Sequence, residues 1–190
     1  MYEANTPENP HIPAWLIFDQ RYRDRYVFAG RPPGQPLPRR WYAAGVVVRA
    51  DDLAGLAATA GISAGGLAKS VTRFNEFAAA GRDEEFGRGE SAYDRYYGDP
   101  RRRPNPNLAP LARPPFYAVK VVPGDLGTKG GLRTDERARV FREDGTPIAG
   151  LYAAGNASAS VMGHSYAGAG ATIGPAMTFG YIAALDLAGH

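Results

Sequence analysis

Gly150-Leu151-Tyr152-Ala153-Ala154-Gly155-Asn156, then Gly163-His164-Ser165-Tyr166-Ala167-Gly168-Ala169-Gly170-Ala171-Thr172-Ile173-Gly174-Pro175, then an apolar run to Leu187, reads as a short buried strand, a glycine-rich loop and the start of a buried helix. Glycines at such a crossing let backbone N–H groups and the positive end of the helix dipole come close to a ligand. The group that suits this place is electron-rich and held without bulky side chains. Close packing alone is the competing account of the same glycines.

Working outward, Val140-Phe141-Arg142-Glu143-Asp144-Gly145-Thr146-Pro147-Ile148 predicts a strand, an Asp-Gly turn and a return strand delivering the chain to Leu151. Phe116 to Val122 is strand-like by composition, and so are Ala14 to Phe18 and Gly45 to Ala50. Asp51 or Asp52 caps a helix over Leu53 to Ala60 that Gly61 closes. Ser63 caps a second helix, ended by Gly81, in which Leu67, Val71, Phe74 and Ala78 form a core-facing stripe beside Phe77. Arg21 to Tyr26 reads as a turn or short helix. The four prolines between Arg31 and Pro38 mark a surface loop. Gly87 to Arg113, rich in Arg, Gly, Pro and Tyr, reads as a long ordered surface loop.

The composition closes off several functions. With 190 residues, 44% of them hydrophobic, the chain has material for a packed core in one domain or one and a half. Lys+Arg 22 against Asp+Glu 19 leaves a net charge of +3, and the only basic run, Arg101-Arg102-Arg103, reads as a solvated loop rather than a nucleic-acid surface. The absence of cysteine removes disulfides and thiolate metal sites, and His11, His164 and His190 share no ligand spacing, so no metal site is expected. Met1 to Asn5 lacks the charged and apolar regions of a signal peptide, which gives the expectation of a cytoplasmic protein, membrane association left open. Ala167 to Leu185 carries no charge, but ten of its nineteen residues are Gly or Ala and Pro175 interrupts it, a composition for close helix packing rather than an integral membrane segment.

No GxGxxG fingerprint follows a first strand and no Walker motif is present, so a dinucleotide pyrophosphate would be held mainly by another segment. The loop's own offer is narrower: N–H groups at the helix start after Gly170, aimed at a group that gains negative charge. The N1 and O2 edge of a reduced flavin is such a group. Tyr166, set among glycines, presents a phenolic hydroxyl suited to a substrate carbonyl.

Three further runs carry a resemblance: Pro115-Phe116-Tyr117-Ala118-Val119, Pro123-Gly124-Asp125-Leu126-Gly127-Thr128-Lys129-Gly130-Gly131-Leu132, and the segment from Gly155-Asn156 through His164 to Gly174. Together with Ile12 to Asp19 and Arg88 to Arg95, they closely resemble 3-ketosteroid Δ1-dehydrogenases, FAD enzymes of the fumarate reductase and succinate dehydrogenase flavoprotein superfamily. The resemblance covers nearly the whole chain. Where the fumarate branch places a His, a Glu and an Arg for dicarboxylates, this sequence has Gly127, Asn156 and Tyr166-Ala167-Gly168, which suits an apolar substrate with a carbonyl.

The resemblance implies an α+β or α/β fold: residues 1–126 as part of a catalytic, steroid-binding domain, and 127–190 as the closing strand–loop–helix of a Rossmann-like FAD domain. It implies a 3-ketosteroid substrate, FAD, and an electron acceptor. The family's 1,2-desaturation sends a hydride from C1 to the flavin while a tyrosine base takes a proton from C2. A tyrosine hydroxyl and a backbone N–H polarise the C3 carbonyl. By motif position those two donors are Tyr166 and Gly170, and the FAD contacts are Gly155, Asn156, Gly168, Ala171, Thr172 and Ile173. Ala167 replaces the family's usual proline. The nucleotide-binding segment and the tyrosine base are expected upstream of Met1, in a missing N-terminal half. Two alternatives remain open: a non-catalytic truncated protein or subunit of the family, and a related flavin-dependent enone reductase or dehydrogenase.

Overall fold

Alternation along three strands builds one sheet with two covered faces. In the computed structural model, which describes Met1–Gly189, β1 (Ala14–Asp19), β2 (Val47–Ala50) and β3 (Phe116–Val121) pair antiparallel in the order β1-β3-β2. The register sets Ile17 and Val48 beside Ala118, and Phe18 and Arg49 beside Tyr117. Successive side chains point to opposite faces, so Phe116 and Ala118 go one way and Tyr117 and Val119 the other.

The first face is covered by α3 (Leu53–Ala60) and α4 (Ala64–Ala80), whose Leu56, Ala57, Leu67 and Val71 are buried with Phe116 and Ala118. Both helices start as the sequence predicts: Asp52 accepts the Gly55 N–H at 2.7 Å and Ser63 accepts the Gly66 N–H at 3.1 Å. Gly61 and Gly81 close them. The second face is covered by Leu37 from the proline-rich loop, by Trp41 and Tyr42 of α2 (Arg39–Ala43), and by Tyr22 of α1 (Gln20–Arg25). The short helix α2 is not expected from the sequence, because no side chain caps it.

Asp19 ends β1, caps α1 and ties both to the approach of β3. Its buried carboxylate accepts N–H groups from Tyr22 at 3.1 Å, Ala112 at 3.1 Å and Arg113 at 3.0 Å. The expectation of an uninterrupted loop from Gly87 to Arg113 is corrected by α5 (Ala92–Tyr97), capped by Ser91 through the Asp94 N–H at 2.9 Å. The rest of that segment is ordered by Asn105, whose amide donates to the carbonyls of Gly81 at 3.1 Å and Arg88 at 2.9 Å. Two side chains that no periodicity announces therefore hold it.

These elements lie in a first unit, Met1–Pro123; a second unit covers the described residues from Gly124. In the second, β4 (Arg139–Phe141) and β5 (Pro147–Tyr152) form the expected hairpin, with Phe141 opposite Pro147 and Arg139 opposite Tyr152. The Arg142 N–H closes the turn on the Thr146 carbonyl at 2.8 Å. Leu151 is exposed, against the expectation of a buried strand. The unit ends in α6 (Ile173–Leu187). No helix among the described residues is long and apolar enough to cross a membrane. His190 lies outside the described residues.

Candidate functional site

Beyond β5 the chain enters a 3₁₀ turn, Gly155–Ala157, and the first part of α6 lies directly on it. Gly155 has φ +64, and a Cβ there would stand 2.8 Å from the Ala176 Cβ. Only glycine meets both the backbone conformation and the approach of the helix. The turn is braced by the buried Ser158, whose hydroxyl donates to the Gly155 carbonyl at 2.9 Å. On its other side the chain at Leu132 runs parallel, donating to the Ala157 carbonyl at 2.9 Å and accepting the Ala159 N–H at 2.8 Å.

This packing brings together the two groups of residues chosen for the cofactor, Gly155-Asn156 and Gly168 to Ile173. Ala171 is buried in the junction; Asn156, Thr172 and Ile173 are exposed along it. The helix begins at Ile173, later than the expected start just after Gly170. The intervening residues form turns in which the Ala171 N–H donates to Gly168 at 3.1 Å and the Gly174 N–H to Gly170 at 2.8 Å. The N–H groups of Gly170, Thr172 and Ile173 have no acceptor among the described residues, and Thr172 makes no side-chain cap. Helix starts leave such donors open, and they favour an electron-rich partner.

Tyr166 stands in the loop before this helix start, exposed, with the Lys129 ammonium 5.1 Å from its ring centroid. Lys129 also donates to the Ser165 carbonyl. A cation over the ring face holds the phenol's plane and draws on its negative quadrupole. Lys129 has no role in the sequence reading; its place in Thr128-Lys129-Gly130-Gly131, inside the resembling run, is the one signal that singles it out. Gly170 has φ +89, and a Cβ built on it would have nothing within 4 Å.

The far end of α6 is fixed to the hairpin by Asp186, which accepts the Tyr152 hydroxyl at 2.6 Å and the Arg137 guanidinium at 2.9 Å. These donors hold the Asp186 carboxyl below its usual range, Tyr152 first, while the same bond raises the Tyr152 phenol. Asp135 is similarly lowered: burial alone would raise it, but the Arg139 N–H and guanidinium outweigh that. Hairpin, turn and helix are thus joined at both ends. The open N–H groups at the helix start are fixed donors rather than fraying ends. Among the described residues no three His, Cys, Asp or Glu side chains gather as a metal site.

A family model described as "FAD binding domain" matches residues 2–173. The chain is 65% identical over 192 residues to a 3-oxosteroid 1-dehydrogenase of Mycobacterium tuberculosis, covering 99% of this chain and 34% of the relative. It is 63% identical, with the same coverage, to one of Mycolicibacterium smegmatis. Its fold is similar, at a TM-score of 0.86 and 52% identity, to a crystal structure of 3-ketosteroid delta1-dehydrogenase from Sterolibacterium denitrificans in complex with 1,4-androstadiene-3,17-dione, covering 94% of this chain and 32% of that one. The chain spans about a third of the length of the relatives it matches.

Proposed function

The chain belongs to the FAD binding domain family, and on that premise we propose that it supplies one side of the flavin and substrate site of a 3-oxosteroid 1-dehydrogenase. Residues 1–126 would serve as part of the catalytic domain, and residues from 127 onward as the closing strand–loop–helix of the FAD domain. The observation that carries the reading is the set of open N–H groups at Gly170, Thr172 and Ile173, held against the Gly155–Ala157 turn.

These residues fit the cofactor. Glycine at 155 and 170 keeps side chains away, Thr172 and Ile173 offer N–H groups at a positive helix end, and Asn156 and the turn around Gly168 flank them. FAD, when bound, supplies a hydride acceptor. Everything else in the reading is done by the chain. The Tyr166 hydroxyl and the Gly170 N–H donate to the 3-keto oxygen, stabilising the charge that develops there as a proton leaves C2. Lys129 over the Tyr166 ring orients the phenol. The base that takes the C2 proton is a tyrosine that the resemblance assigns to no position of this chain. Loss of a hydride from C1 to the FAD that these residues would hold, and of a proton from C2 to the base, would leave the C1–C2 double bond, the electrons being removed in the end by an external acceptor.

A chimera tests this: the matching third of the Mycolicibacterium smegmatis relative is replaced by this chain and assayed with androst-4-ene-3,17-dione and an artificial electron acceptor. The reading expects 1,2-desaturation, and a fall in kcat/KM of about 10²–10³-fold on Tyr166→Phe. A chimera that holds FAD but leaves the steroid unchanged would overturn it. So would an unaltered rate in the Tyr166→Phe form.

A further inference from the structure

The loop that carries Tyr166 is tied to the rest of its unit by one side chain. Gly163 and Gly168 bracket Tyr166 at φ +58 and +108, which leaves the stretch between them free to pivot. Among the described residues, the hydrogen bonds of residues 160–171 close within four positions: Gly163 on Ser160, Ser165 on Met162, Ala171 on Gly168 and Gly174 on Gly170. The exception comes from Lys129, whose ammonium donates to the Ser165 carbonyl and stands 5.1 Å from the Tyr166 ring centroid.

The base from which Lys129 reaches is itself fixed. Gly127 and Gly131, on either side of it, lie against the Gly155–Ala157 turn. A Cβ on Gly127 would be 3.9 Å from the Asn156 amide nitrogen, and one on Gly131 would stand 2.1 Å from the Ala157 carbonyl oxygen. Leu132 then pairs with the chain beyond the turn, donating to Ala157 and accepting from Ala159. The run from Gly127 to Leu132 is therefore laid along Asn156 and Ala157, and all of it lies with Tyr166 in the second unit.

We infer that Lys129 is a positioning residue for the proposed desaturation: it acts through Tyr166, fixing the ketone donor relative to the turn proposed to hold FAD. A hydroxyl on a loop without another tie spends part of its time away from the ketone oxygen, and an error of about 1 Å in such a placement costs on the order of 10²-fold in rate. Lysine meets two demands with one group. Its ammonium has a donor for the Ser165 carbonyl, and its charge is attracted to the face of the phenol ring. Glutamine keeps the first and loses the second; arginine keeps both. The inference rests on the assignment of Tyr166 to the ketone oxygen, whereas the contact between Lys129 and the ring does not.

Two measurements test it. In proton spectra of the 190-residue chain, the Tyr166 ring current is expected to move the Lys129 Hε protons upfield of those of the exposed Lys69, a shift that Tyr166→Leu abolishes. In the chimera, Lys129→Gln is expected to lower kcat about tenfold with FAD content unchanged, and Lys129→Arg to stay within about threefold of the parent. In the Tyr166→Phe form, which has no hydroxyl left to position, Lys129→Gln costs nothing further. Additive losses would overturn the inference and leave the role of Tyr166 standing. The same holds for a Lys129→Gln form as fast as the parent, a Lys129→Arg form as slow as Lys129→Gln, or Lys129 protons that the ring does not shift. A Tyr166→Phe form with an unaltered rate would instead overturn the proposed function, and this inference with it.

Discussion

Asp83 shows how much one side chain does in a segment without regular structure. It is 1% exposed, accepts N–H groups from Glu85 at 3.1 Å and Phe86 at 3.2 Å, and pairs with the Arg88 guanidinium. Burial alone would raise its carboxyl; Arg88 and the two N–H groups outweigh that and hold it below the usual carboxylate range. A carboxyl lowered on folding contributes stability that is complete above the ordinary carboxylate range and is lost as the pH falls through the folded value. Asp83→Asn is therefore expected to cost about 2 kcal/mol at pH 7, with the gap to the parent narrowing below pH 4. Urea unfolding between pH 2 and 7 measures it, and a gap that does not change with pH would refute the account. The Arg88 side of the pair also lies 5.0 Å from the Phe74 centroid, so the segment is fastened to α4 by a second contact.

At the scale of elements, the contact between the Gly155 turn and α6 makes a double-mutant prediction. Gly155→Ala is expected to destabilise the second unit by about 1–3 kcal/mol, part from the positive φ and part from the Ala176 Cβ. Introducing Ala176→Gly beside it should return the contact part, giving a coupling of about 1 kcal/mol by thermal unfolding; additive costs would mean that the helix does not rest on the turn. In the first unit, Leu56→Ala on α3 removes a side chain with no exposure and is expected to cost about 2–5 kcal/mol. What the sequence made legible follows from signal strength. Caps at Asp52 and Ser63, closing glycines and the stripe on α4 are local codes, and these elements stand where their residues put them. The helix α2 has no side-chain cap, and α5, though capped by Ser91, is only six residues long among arginines and prolines, so neither is long enough for a periodic stripe to announce it. At the candidate site the glycines were legible because they are unusual. Lys129 beside Tyr166 was not, since a lone lysine carries no periodicity.

For the whole molecule, burial is unevenly shared. The first unit owns three apolar clusters, built around Leu56 and Phe116, Phe18 and Tyr117, and Phe77 and Leu108. In the second, α6 presents Ile173, Met177 and Tyr181 in exposed succession, and Ala183 is the one residue of that helix that is buried. Local stability follows buried contacts, so hydrogen exchange of the full chain should protect the amides of β3 at least a hundredfold more than those of α6. Equal protection would contradict this. The sheet order has a consequence during synthesis. β3 is the central strand, yet it is made last of the three, so Ala14–Asp19 and Val47–Ala50 have no partner until residue 121 has emerged. At the usual pace of translation the wait is on the order of several seconds, during which Trp15-Leu16-Ile17-Phe18 is an unpaired apolar edge on the nascent chain, open to holding chaperones and to pairing with its neighbours on the same message.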